Sequence, residues 1–151
     1  MARKEAFQRL GNIKDELEAS RFAIECAQRE IKSGKDTLKA TSGVLPSHLR
    51  NCAANLEVTY SLRMFAGFEA TLRKYLSAVR PSPRPRQTRM EHLMNRIATI
   101  CSVPYDVLNQ AHSVRKYRNE VIHQRELAGR LTFHDCKSHL GKFLSFLPLQ
   151  W

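Results

Sequence analysis

Leu10, Leu17, Ile24 and Ile31 recur at seven-residue intervals in the opening segment, with Phe7, Ile13 and Ala27 beside them. That spacing returns to one side of an α-helix, whereas a half-buried strand would alternate every second residue. It predicts a helix over about 3–33, with charge on its other face and Gly34 as its stop. A second helix is predicted from Pro46, a residue suited to a first turn, to Val79. Its later half carries a seam at steps of four and three: Val58, Leu62, Phe65, Glu69, Leu72, Leu76, Val79.

Arg80-Pro81-Ser82-Pro83-Arg84-Pro85-Arg86 follows, and prolines at alternate positions cannot be helical. Residues 80–88 therefore read as an extended basic connector inside one domain, 1–151. Thr88-x-x-Glu91 has the form of a capping box before a third helix carrying Leu93, Met94, Ile97 and Ile100. Val103-Pro104 breaks that helix. A fourth, from about Tyr105 to Gln124, sets Val107, Ala111, Val114, Arg118 and Val121 on its seam, and Gly129 marks the next turn. A last helix over about Thr132–Leu147 turns Phe133, Cys136, Leu140, Phe143, Leu144 and Leu147 inward, and Pro148 ends it. No stretch alternates with period two and no internal repeat is present. The expected fold is all-α, an up-and-down bundle of about five helices with two long ones first.

Charge narrows the function. Lys and Arg number 25 against 14 Asp and Glu, a formal net charge of +11. A field of that sign attracts polyanions, of which nucleic acid is the commonest inside cells; a basic solubility surface is the plainer alternative. Arg84 and Arg86 in the connector either touch a phosphate backbone or belong to a solvated linker. Cys26, Cys52, Cys101 and Cys136 are scattered without a CxxC pair, which points to reduced thiols in the cytoplasm. No apolar run is long enough to span a bilayer, and the start lacks a signal-peptide pattern, so no membrane partner is expected. Gly34-Lys35 lacks the rest of a phosphate loop. His134-x-Cys136-x-x-His139 offers three ligands but no evident fourth, and Cys136 reads better as core; neither metal nor cofactor is expected. His48 and His92 sit near helix starts and carry no specific signal.

Glu69 and Arg118 stand out because both fall in otherwise apolar seams. An unpaired buried charge is very costly, and each offers the other a partner. The second and fourth helices are therefore predicted to pack side by side with Glu69 gripping Arg118. At about 100° per residue, His112, Arg115, Asn119 and His123 line one stripe of the fourth helix, with Lys116 and Arg125 nearby. Imidazole exchanges protons near neutrality and guanidinium neutralises developing phosphate charge, so this stripe suits phosphate-ester chemistry; a solvated helix face is the plain alternative.

Arg118-Asn119-Glu120-Val121-Ile122-His123 resembles the R-N-x-x-x-H signature of the HEPN superfamily. Leu62 to Ala70, with Glu69, is similar to that family's earlier helix bearing a polar residue that faces the motif, and Phe143 to Pro148 resembles its last helix. The likeness covers about residues 50 to 148 and the first helix only loosely. It implies two long antiparallel helices followed by shorter ones, with the motif on a late helix, here the fourth. It also implies a metal-independent ribonuclease of toxin or antiviral-defence type, acting as a homodimer whose two motifs share a cleft. Carried onto this chain, His123 would handle the 2′-hydroxyl or leaving-group proton. Arg118 would hold the scissile phosphate, Asn119 would orient it or tie down the motif, and Glu69 would support Arg118. The products would be a 2′,3′-cyclic phosphate and a 5′-hydroxyl. An antitoxin or a nucleotidyltransferase partner is implied by the same likeness. The alternative within it is a non-catalytic dimeric adaptor that binds nucleic acid, a nucleotide or a partner protein.

Overall fold

The computed structural model describes residues 2–33, 43–81, 88–123 and 131–151. Within them lie five helices: α1 (Arg3–Lys32), α2 (Pro46–Val79), α3 (Met90–Ile100), α4 (Tyr105–Ile122) and α5 (Phe133–Leu144). Among the described residues there is no β-strand, only an isolated bridge between Ala2 and Gln150, so the architecture is an all-α bundle. None of the described helices is long and apolar enough to cross a membrane.

Local chemistry sets most helix ends. Pro46 opens α2, as its fixed φ favours. Thr132 caps α5: its hydroxyl accepts from Asp135 N at 3.1 Å, and the Asp135 carboxylate accepts from Thr132 N at 3.0 Å. The box expected at Thr88-x-x-Glu91 does not form. The N-cap of α3 is Arg89, one residue later, so Glu91 stands a position too early to reach back and turns to α4 instead. At the other end of α3, Ser102 adopts φ 51° and Val103 N donates to Ala98 O at 2.9 Å. This is a Schellman closure with serine where glycine is usual.

Cross-helix pairs fix direction and register. Glu16–Arg63, Ser20–Tyr60 and Arg21–Glu57 show that α1 and α2 run antiparallel. Glu91–Arg115 and Asn95–His112 show the same for α3 and α4, and Asp106–Lys142 ties α4 to α5. Arg3 closes the chain: its backbone N–H donates to Leu149 O at 3.0 Å, and its guanidinium to Leu147 O at 3.0 Å and to Ser145 O.

The core lies where α1, α2 and α5 meet, with α3 and α4 completing it. Phe68 is 0% exposed, meets Phe143 edge-on at 5.4 Å between ring centroids, and lies 6.0 Å from Phe65. Tyr75 packs edge-on against Trp151 and accepts a hydrogen bond from the Cys101 thiol at 3.2 Å. Burial, reinforced by that bond, pushes the Tyr75 phenol up to about 12. Cys136 is fully buried, and burial pushes its thiol up to about 11, a core thiol of low reactivity.

The expected seams need correction. In α1 the buried residues Ala6, Leu10, Ile13 and Leu17 all lie in the first half; Ile24 and Ile31 are half-buried because the later turns extend past the bundle along α2, and Phe7, in the first half, is exposed. In α2 the innermost residues are Tyr60, Met64, Phe68, Leu72 and Tyr75 rather than the Val58–Val79 series, of which only Phe65 and Leu72 are buried. In α4 Tyr117 is buried where Arg118 was expected, and Arg118 is half-buried.

Candidate nucleic-acid interface

Helix α4 begins after Pro104, whose φ of −58° suits entry to a helix, with Asp106 in the favourable first turn. Val107, Ala111, Val114 and Tyr117 form its buried face. The motif residues Arg118 and Asn119 therefore fall in its last turns, at the border between core and solvent, and His123 is its exposed C-cap. Arg118 and His123 leave the helix axis about 140° apart, with Asn119 between them. Asn119 Oδ1 accepts a hydrogen bond from Arg118 Nη1 at 2.9 Å, which draws the guanidinium round toward the side carrying His123. The His123 backbone N–H closes the helix onto Asn119 O at 3.0 Å.

The expected Glu69–Arg118 pair does not form. Glu69 Oε1 accepts two bonds from Arg73 on its own helix, at 2.9 and 2.6 Å, and Arg73 also donates to Thr88 O at 3.3 Å. Glu69 is only half-buried, so an i,i+4 partner at the rim satisfies it without a cross-helix grip. Arg118 in turn makes no ion pair among the described residues, and its charge is left uncompensated there.

His112 and Arg115 are drawn away from the stripe into a ladder with α3. Arg115 Nη2 meets Glu91 Oε2 at 3.3 Å, Arg115 Nε donates to His112 Nδ1 at 3.4 Å, and His112 Nε2 meets Asn95 Oδ1 at 2.8 Å. Because Nδ1 accepts, the neutral ring carries its proton on Nε2 and donates to Asn95. Burial, with Arg115 and Lys116 adding to it and Glu91 opposing, holds the His112 imidazole below its usual value. Glu91 and Asn95 are thus members of this cluster that sequence reading missed. The signal was present: an i,i+4 polar pair before a tight Pro-containing turn faces an i,i+3 polar pair after it, at matched distances from the turn.

Lys116 is exposed on the same helix. Arg84, Arg86 and Arg125 lie outside the described residues. Among the described residues no three His, Cys, Asp or Glu side chains converge as a metal site. A groove of ≈ 410 Å³ opens beside the motif, between the outer turns of α1 and α2, Tyr117 and the start of α5; Arg118, Asn119 and His123 do not line it. Comparison of the chain with protein-family models, with curated proteins and with solved structures finds no match.

Proposed function

We propose that this protein is a metal-independent RNA endonuclease of HEPN type, of the toxin or defence class, working as a homodimer. The observation that carries the reading is the state of Arg118: half-buried, held by Asn119, and unopposed by any carboxylate among the described residues, near the exposed His123. A guanidinium already neutralised by Glu69 would be a poor phosphate ligand; one fixed through a neutral amide keeps both its charge and spare donors.

In this reading His123 takes the proton of the ribose 2′-hydroxyl as the 2′-oxygen attacks the adjacent phosphorus. Arg118 neutralises charge on the non-bridging oxygens, and the 5′-oxygen leaves with a proton. The second subunit's copy of the motif supplies the other proton-transfer group in the shared cleft. RNA brings its own nucleophile, so the residues need only position and transfer protons. An antitoxin or nucleotidyltransferase partner would act by covering this end of α4.

The test is incubation with mixed cellular RNA in EDTA, comparing wild type with His123→Ala, followed by end-group analysis. The expected result is 2′,3′-cyclic phosphate ends from wild type and a loss of roughly 10²–10⁴-fold in rate for His123→Ala, the usual worth of a general acid–base group. Equal rates, or ends of another chemistry, would refute the assignment. One observation favours a second reading, a non-catalytic RNA-binding adaptor: His112 and Arg115 are committed to α3 rather than open to substrate. It calls for salt-dependent RNA binding without cleavage, sensitive to charge reversal at Arg84 and Arg86.

A further inference from the structure

We propose that the groove beside the motif is a nucleobase pocket that accepts guanine from the RNA strand; this rests on the RNA reading above. Its size, ≈ 410 Å³, falls in the range of small-molecule sites and leaves room for a base with its ribose. Its apolar lining comes from Ile24, Leu56, Val58, Leu131 and the ring of Tyr117. Tyr117 directly precedes Arg118, so their α-carbons are about 3.8 Å apart. A base seated here would lie against the helix that carries Arg118, whose guanidinium turns to the side away from Tyr117.

The polar groups of the groove select a base rather than a phosphate. Arg21, the one cation among the described residues of its wall, is already paired with Glu57 at 2.6 Å. Glu25 on the same face of α1 makes no ion pair among the described residues, and Gln28 stands one helical turn further along. Among the described residues that line the groove the charge is negative, Glu25 and Glu57 against Arg21, which disfavours phosphate there but suits a flat ring rich in N–H donors. Among the four bases, guanine alone presents two adjacent donors on its Watson–Crick edge, N1–H and N2–H, matching the two oxygens of a carboxylate. The Gln28 amide has an N–H to offer the neighbouring O6. Aromatic or apolar walls with Watson–Crick-edge readout are the usual mode by which proteins take up unstacked RNA bases.

The test measures binding, so that it stands apart from cleavage. His123→Ala protein is titrated with two labelled hexanucleotides, all-uridine and the same with one central guanosine. The expected preference for the guanosine oligomer is about tenfold, the lower range for one good bidentate base contact. Glu25→Gln, which removes one acceptor, brings the ratio close to one. Ala54→Phe, which fills the groove from an exposed position, does the same. A ratio of one in the parent protein, or an undiminished ratio in both variants, overturns the proposal. Wild-type protein that keeps the preference but cuts no RNA would instead overturn the nuclease reading and leave the pocket standing.

Discussion

Phe68 and Glu69 are adjacent on α2, and the structure assigns them opposite roles that truncation separates. Phe68 is 0% exposed and contacts Phe143 and Phe65. Phe68→Ala removes a fully buried ring, leaves a cavity between α2 and α5, and forfeits an edge-to-face contact worth about 0.5–1.5 kcal/mol on its own. Buried Phe→Ala changes cost about 3–5 kcal/mol, and the tight aromatic cluster puts this one near about 4 kcal/mol. For a chain of this size each kcal/mol moves the melting temperature by about 2–4 °C, so a fall of about 8–16 °C is expected. Glu69→Ala loses one rim ion pair with Arg73, whose side chains are 28% and 38% exposed. Such i,i+4 pairs are worth about 0.3–0.5 kcal/mol. Urea titration followed by circular dichroism reads both variants on one scale. Had Glu69 been the seam residue gripping Arg118, its removal would strand a buried guanidinium and cost about 3–5 kcal/mol. A Glu69→Ala loss as large as that of Phe68→Ala would refute the placement of both residues.

Acidification should weaken the fold through His112. Its folded-state pKa lies below the usual 6.5, so the unfolded chain binds the proton more readily. Its contribution is intact above that value and is lost as pH falls below it. Urea midpoints between pH 8 and 5 should therefore drop more steeply in wild type than in His112→Gln, and parallel slopes would contradict the ladder. Ser102→Gly should stabilise the α3–α4 turn. The left-handed conformation costs a non-glycine residue about 1–2 kcal/mol, while the added freedom of glycine in the unfolded chain returns about 0.4–1 kcal/mol. The net gain expected in thermal or urea unfolding is about 0.5 kcal/mol; a loss would mean that the serine side chain has a role of its own.

Helix number, order and most ends were legible in the residues. Pro46 and Val103-Pro104 act through their own backbone geometry, and the seven-residue spacing of α1 admits no other regular structure. The α3 ends were less legible. Thr88-x-x-Glu91 had the form of a box but the wrong register, and nothing about Ser102 announces a left-handed residue in place of glycine. The candidate site was less legible: the polar pairs on either side of the α3–α4 turn stood in the sequence, but that Glu91 and Asn95 take Arg115 and His112 as partners was decided only once α3 lay against α4.

Local pattern determined that α2 and α4 are helices with one apolar side. It could not choose between neighbours about 100° apart, and in both helices the choice fell one residue before the charge, on Phe68 before Glu69 and on Tyr117 before Arg118. Only packing decides this, because the helix rotates until its largest apolar side chain fills the space left by its partners, and no partner's surface is written into a single helix. That small rotation moves Glu69 to the rim with Arg73 and leaves Arg118 with its charge uncompensated among the described residues.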